Sequence, residues 1–440
     1  MTGSRALRLF PTLLLGLALA ACEQAALQPF DAGVGPKPRL PAPQQALIPT
    51  VNIAKARGWP QAMMPAVAPG LAVTAFAQDL DHPRWLYTLP NGDVLVAESN
   101  APPKPDDGNG IKGWVMKWVM KVAGAGTPSA NRITLLRDAD GDGVAETRAV
   151  LLEGLRSPFG MALVGERLYV ANTDAVVSFA YRTGQTRIDG PAVKLVDLPA
   201  GPVNHHWTKN IIASGDGKQL FVTVGSNSNV AEKGMAIEAG RAAIWEVDVA
   251  SGAHRIFATG LRNPNGMGWE PDTGVLWTVV NERDELGSDL VPDYLTSVRD
   301  GAFYGWPWSY YGQHVDTRVT PAAPAMVERA IAPDFALGAH VAPLGMVFSA
   351  GQKLGAIYAR GAFVGEHGSW NRTPRSGYKV VFVPFADGRP VALPIDVVNG
   401  FVHGDEAYGR PVGVALDGRG ALLVADDVGN TVWRISAARH

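Results

Sequence analysis

A short polar lead-in, an apolar strand, a turn and a second strand recur six times along this sequence. The copies are HPRWLYTLPNGDVLVAES from His82, SPFGMALVGERLYVANT from Ser157 and HHWTKNIIASGDGKQLFVTVGS from His205. They continue with NPNGMGWEPDTGVLWTVVN from Asn263, APLGMVFSAGQKLGAIYARGAFVGEHG from Ala342 and RPVGVALDGRGALLVADD from Arg410. Four share Pro-x-Gly ahead of the first strand: Pro158/Gly160, Pro264/Gly266, Pro343/Gly345 and Pro411/Gly413. A lone hairpin buries one face only, so repeated hairpins must stack to hide the other. Spacings of roughly 50 to 80 residues exceed a bare four-stranded blade, which points to blades with inserted loops. The pattern therefore predicts an all-β fold, a six-bladed β-propeller with inserted loops. A β-sandwich is the rival, but it gives no reason for one lead-in to recur. The 50 Gly and 33 Pro supply the tight turns that many short strands need.

Propeller geometry places the start of every innermost strand at one end of the central channel. The six lead-ins should converge there, bringing His82, Arg84, Ser157, His205, His206, Arg262, Asn263, His340 and Arg410 to one mouth. Converging polar groups in a chain with only 18% charged residues make that mouth the candidate site. For each histidine taken alone, a surface position or a satisfied core group is the plain alternative. The formal net charge is −2 and no basic stripe is present, which argues against a nucleic-acid partner. No Gly-rich fingerprint follows a strand and opens a helix, so a nicotinamide cofactor is not supported.

The N-terminus reads as a targeting segment. Arg5 and Arg8 precede an apolar run from Leu9 to Ala21 that is short for a bilayer span. The run ends in Leu19-Ala20-Ala21-Cys22, which resembles a bacterial lipobox, and Cys22 is the chain's sole cysteine. An ordinary signal peptide with a chance cysteine is the alternative. The lipobox predicts cleavage after residue 21, a membrane anchor on Cys22 and a periplasmic location, with Glu23 favouring the outer membrane. Residues 1–22 are thus expected to be a signal, 23–70 a Pro/Ala-rich tether without periodicity, and 71–440 the propeller domain.

Four segments carry a family resemblance: LRNPNGMGWEPDTG (Leu261 to Gly274), VVNERDELGSDLVPDYL (Val279 to Leu295), GAFYGWPWSYYGQHV (Gly301 to Val315) and EHGSWNRTPRSGYKVVFVPF (Glu366 to Phe385). With these, the stretch from about Leu71 to Ser436 resembles the soluble pyrroloquinoline quinone (PQQ)-dependent sugar and sorbosone dehydrogenases. The resemblance implies PQQ bound on top of a six-bladed propeller, with Ca2+ against the quinone. It implies His206, ten residues before Asp216, as general base. It implies that Arg262 and Asn263 bind the quinone, with Arg262 also stabilising developing negative charge. Arg410 would pair with a PQQ carboxylate through its planar fork. Carbonyls of Glu282 and Arg283 would ligate calcium, with hard oxygens also offered by Asp284 and Glu285; a solvated acidic loop is the alternative. The implied reaction is oxidation of an aldose or sorbosone-type sugar to a lactone or acid, with an electron acceptor that the sequence does not name.

The chain departs from that family at three places. The carboxylate that orients the family's base falls at Ser226, a second arginine falls at Tyr408, and the quinone-binding lysine has Arg375 or Arg372 as its nearest substitute. Two rival functions stand beside the dehydrogenase: a six-bladed calcium-dependent lactonase and a non-catalytic sugar- or protein-binding propeller. Elsewhere, Asp138, Asp140 and Asp142 with Glu146 resemble a calcium loop, against the plain reading of an Asp/Gly turn. Gly113 to Met120 reads as a helix packing across the first blades or a lip over the mouth, against the plain reading of a core-packing loop. Tyr304, Trp306, Trp308 and Trp370 are candidates for an aromatic wall, or equally for buried structural aromatics.

Overall fold

The computed structural model describes residues 25–45, 50–103, 122, 124 and 126–438. Cys22 and the segment Gly113 to Met120 lie outside the described residues. Within them, six sheets have four or more strands. The innermost strands are Pro83–Thr88, Met161–Val164, Ile211–Ala213, Asn263–Trp269, Pro343–Phe348 and Pro411–Leu416. Each packs on the next, and Pro411–Leu416 returns to Pro83–Thr88, so the sheets close into a propeller ring. Second strands such as Val94–Glu98, Gly361–Glu366 and Leu422–Asp426 are buried along their whole length, because blades cover both of their faces. That accounts for their unbroken apolar runs. Outer strands such as Val193–Asp197 are largely exposed.

The last blade is built from both ends of the domain. Leu71–Ala77 pairs antiparallel with Thr431–Ala437, with Ala75 opposite Trp433 and Val73 opposite Ile435. This pairing closes the ring without a covalent link.

The repeated Pro-x-Gly has a steric cause. A Cβ on Gly160 would lie 2.4 Å from the Ile211 amide nitrogen, one on Gly266 2.7 Å from that of Met346, and one on Gly345 2.2 Å from the Val412 carbonyl oxygen. One on Gly413 would lie 2.8 Å from the Arg84 carbonyl oxygen. Each glycine marks where one inner strand meets the backbone of the following blade. A backbone obstacle cannot swing aside, so Gly345→Ala is expected to destabilise the fold by about 3 kcal/mol. Chemical denaturation of the purified variant checks this. Stability within about 0.5 kcal/mol of the parent would refute the steric account.

The described residues of 23–70 do not behave as the bare tether expected from composition. Val34–Gly35 pairs with Leu337 and Ala336, Lys55–Ala56 runs parallel to Glu406–Ala407, and Ala66–Val67 adds to Val398–Asn399. Val34 and Ala54 are buried. Aperiodic sequence cannot build its own core, but two-residue strands can cover the free edges of outer blade strands. The described part of the segment is a strap bound along the propeller.

Candidate active site

Antiparallel pairing delivers two sets of residues to the same mouth. Pro83 pairs with Glu98, Asn263 with Asn281, Pro343 with Glu366 and Pro411 with Asp426. The start of each inner strand therefore sits beside the end of the second strand. The mouth is lined by lead-in residues together with the polar residues that close each hairpin.

On one side stands His206. Its Nδ1 lies 2.7 Å from the Ser226 carbonyl oxygen and 3.1 Å from Ser226 Oγ. A carbonyl only accepts, so Nδ1 carries the proton and Nε2 is the basic atom. Ser226 Oγ donates to the Ser228 carbonyl, which leaves its lone pairs toward the imidazole. Burial and the neighbouring Arg262 guanidinium push the His206 pKa well below 6.5, which keeps the ring neutral at pH 7. Asn263 is adjacent: a Cβ placed on Gly225 would lie 2.5 Å from Asn263 Oδ1 and 2.6 Å from His206 Cβ. Asn263 Oδ1 is buried without a hydrogen-bond partner.

Arg262 is held from every side. It donates to the Asn229 carbonyl at 3.2 Å, to Asn229 Oδ1 at 2.9 Å and to the Glu282 carbonyl at 2.7 Å, and it pairs with Asp284 at 3.0 Å. Asp284 also accepts from Asn371 at 2.8 Å and lies 3.7 Å from His340 Nδ1. Burial alone would raise the Asp284 carboxyl; Arg262 and His340 overcome it and hold it down at about 2. The same carboxylate holds His340 above its usual range against the opposing effect of burial.

Opposite lies a second cluster centred on Asp427. Its Oδ2 pairs with Arg84, accepts from His367 Nε2 at 2.9 Å and lies 3.6 Å from His82 Nε2. Burial works against this carboxylate, but the ring of imidazoles and the guanidinium keep it far below the usual carboxylate range. Burial in turn lowers His82 to about 4. Arg410 adjoins the cluster: the Asp427 amide meets its carbonyl at 3.4 Å, and its guanidinium lies 5.7 Å from the Tyr378 ring centroid. The two sides meet across the fifth blade, where the His367 amide bonds the Ala342 carbonyl and Asn371 reaches Asp284. His206, Arg262, Asn263 and Arg410 thus share one end of the propeller. Sequence reasoning missed Asn229, Asn371, His367 and Asp427.

Other expectations are corrected. Arg375 spends its donors on the carbonyls of Asn52, Ile53 and Gly404 and on Asp405, clamping the strap, so it is not available to a quinone. Arg372 bonds the Pro374 carbonyl and faces Asp289 and the Phe30 ring. Tyr408 stacks on His403 and meets Trp59 edge-on. The expected calcium loop is also committed. Glu282's carbonyl holds the Arg262 guanidinium, its carboxylate holds Arg283, and Asp284 is neutralised by Arg262. Arg283 is fully buried, donating to the carbonyls of Pro307 and Ser309. Of the aromatic wall, Tyr304 is core with its hydroxyl on the Ser297 carbonyl, while Trp306 backs the site by donating to the Asn229 carbonyl at 2.9 Å. Asp138, Asp140, Asp142 and Glu146 do gather in one hairpin loop, where Arg419 reaches Asp138 at 3.4 Å.

The profile of one family, TrAA12-like, matches residues 127–293 and 317–438, well over half of the sequence. The chain belongs to the TrAA12-like family. That family is one of PQQ-dependent oxidoreductases, as the sequence resemblance implies. Solved structures of similar fold include a carbohydrate-active enzyme of family AA12 from Trichoderma reesei, with TM-score 0.69 and 19% identity over 85% of this chain and 98% of that one. Another is the holo form of the pyranose dehydrogenase PQQ domain from Coprinopsis cinerea, with TM-score 0.67 and 21% identity over 87% and 100%. The aldose sugar dehydrogenase of Escherichia coli follows with TM-score 0.56 and 14% identity over 84% and 100%. A curated relative, an uncharacterised protein of Borreliella burgdorferi, is 26% identical over 64% of this chain and 76% of its own length.

The mouth of this TrAA12-like chain fits PQQ, which is flat and carries three carboxylates and quinone carbonyls. Arg84 and Arg410 stand by His367 and Arg262 stands by His206, all three are buried, and Arg84 Nε and Asn263 Oδ1 are buried without partners. Of the carbonyls expected to face calcium, that of Glu282 already accepts from the Arg262 guanidinium.

Proposed function

We propose that the chain is a PQQ-dependent dehydrogenase that oxidises an aldose or sorbosone-type sugar, taking a hemiacetal to a lactone or an aldehyde hydrate to an acid. The observation that carries this reading is His206, neutral and held through Nδ1 by Ser226, beside the Arg262 guanidinium. Bound PQQ supplies the electron sink for a hydride.

His206 Nε2 takes the hydroxyl proton of the carbon being oxidised, and the Nδ1–carbonyl bond keeps the ring aimed as the imidazolium forms. Ser226 adds no charge; its carbonyl and the Asp284 carboxylate raise the basicity of His206, but burial and Arg262 outweigh them. Arg262, anchored by Asn229 and Asp284, presents a fixed cation where negative charge develops, and needs no reorganisation to do so. Arg84 and Arg410 bind carboxylates on the opposite side, and Asn263 offers an amide beside the base. Sugar substrates are supported by the names of the relatives, a pyranose dehydrogenase domain and an aldose sugar dehydrogenase.

The test is reconstitution. The purified protein receives PQQ in calcium-containing buffer, then aldoses or sorbosone with an artificial dye. Sugar-dependent dye reduction is expected. Lactone hydrolysis without PQQ, or binding of sugar with no redox change, would replace this reading with one of its two rivals. The lactonase is disfavoured because Asp284, a carboxylate of the mouth, already pairs with Arg262.

A further inference from the structure

The strap of residues 52–59 touches the mouth at a point that neither catalysis nor ring closure requires. The Ala54 carbonyl, on a fully buried residue, accepts from Arg410 NH2 at 3.0 Å. Trp59 Nε1 donates to Asp426 Oδ2 at 2.7 Å, and the other oxygen of that carboxylate accepts the Arg410 amide at 2.8 Å. Arg410 is therefore gripped by the strap twice, once directly at its guanidinium and once through Asp426 at its backbone.

The strap is itself fixed over this spot. Arg375 binds the carbonyls of Asn52 and Ile53 at 3.1 and 2.9 Å. The Asn52 amide bonds the Trp370 carbonyl, and its side chain bonds the Arg372 carbonyl and Thr373 Oγ1, both at 3.0 Å. Trp59 packs edge-on against Phe401, Tyr408 and Trp433. An isolated aperiodic segment has no intrinsic structure, so these bonds, together with the pairing of Lys55–Ala56 on Glu406–Ala407 and the burial of Ala54, set where the Ala54 carbonyl sits. A guanidinium on a flexible stem gains affinity for a carboxylate when its rotamer is held beforehand.

We infer that the strap of residues 52–59 is a positioning element of the cofactor site, which holds Arg410 ready for a PQQ carboxylate and so sets cofactor affinity. This rests on the dehydrogenase reading above. It assigns Arg375 and Asn52 a role that acts through Arg410, without contact to the cofactor.

The test uses the full chain and reads PQQ affinity by titrating the quinone absorbance, with thermal melts alongside. The double variant Asn52→Ala/Arg375→Met is expected to weaken PQQ binding at least tenfold. Trp59→Phe, which deletes the indole N–H and leaves a smaller aromatic ring in its place, is expected to weaken it severalfold. Arg57→Ala, which removes only an exposed ion pair with Glu406 on the same strap, is expected to change affinity less than twofold. In an Arg410→Ala background the strap variants should add no further loss, which a general loosening of the fold would not produce. Should the double variant fail to fold, Trp59→Phe with and without Arg410→Ala decides alone. Equal affinity in parent and strap variants, or full additivity with Arg410→Ala, overturns the inference and leaves the dehydrogenase standing. Absence of PQQ binding by the parent overturns both.

Discussion

Alanine at position 206 is expected to lower kcat for sugar oxidation by about 10²- to 10⁴-fold, the usual weight of a positioned general base. PQQ affinity should change far less, because Arg84 and Arg410, on the opposite side, would supply the charge that holds carboxylates. The expectation follows from one hydrogen bond. With Nδ1 donating to the Ser226 carbonyl, Nε2 is the basic atom, and burial beside Arg262 keeps it unprotonated at pH 7. A base must be deprotonated to act, so activity holds above the His206 pKa and falls on acidification through it. Since that pKa lies well below 6.5, the acid limb of kcat/KM should lie on the acid side of a free histidine. Ser226→Ala should cost much less, since the carbonyl that fixes the tautomer remains. Dye-linked steady-state kinetics from pH 4 to 8 measure all three. A His206→Ala kcat within tenfold of the parent would remove the base from the mechanism.

Much of this architecture was legible in the chain because its constraint is steric and repeated. Gly160, Gly266, Gly345 and Gly413 recur since each meets the backbone of the following blade, and a repeated clash leaves a repeated letter. The gathering of His206, Arg262 and Arg410 followed from the same ring, because lead-ins of equivalent hairpins end at equivalent places. The other half of the mouth carried a signal too. Glu98-Ser99, Ser226, Asn281-Glu282, Glu366-His367 and Asp426-Asp427 are polar residues that end apolar second strands, and antiparallel pairing returns them beside the lead-ins. Reading only strand starts therefore missed His367 and Asp427. Asn229 sits in a loop with no periodicity, where only the folded chain shows that it brackets Arg262. The strap was illegible for a related reason. Its bonds run through backbone carbonyls of Asn52, Ile53 and Ala54, which every residue type possesses. Arg375 was misplaced because a guanidinium serves carbonyl clamps and quinones equally well.

Glu366→Gln should make the protein more stable in alkali, and the effect should be large. Glu366 closes the second strand of the fifth blade directly under the mouth, almost wholly buried, and its Oε2 has no hydrogen-bond partner. Burial, with Asp396 and Asp293 nearby, outweighs Lys379 and pushes the carboxyl up to about 8 from an ordinary 4.5. A raised acid keeps its proton in the folded state at a pH where the unfolded chain has lost it. The folded state then binds more protons, so its advantage is complete below pH 4.5 and drains away as pH rises toward 8. At about 1.4 kcal/mol per pH unit, that window amounts to a few kcal/mol. Glutamine has the shape of the protonated acid and cannot ionise, so the variant should match the parent near pH 4 and exceed it progressively up to pH 8, levelling beyond. Denaturation curves for parent and variant at intervals from pH 4 to 9 carry the comparison. A difference that stays flat across that range would mean Glu366 is ionised in the folded protein, with its charge met by Lys379 across the strand pair that joins them.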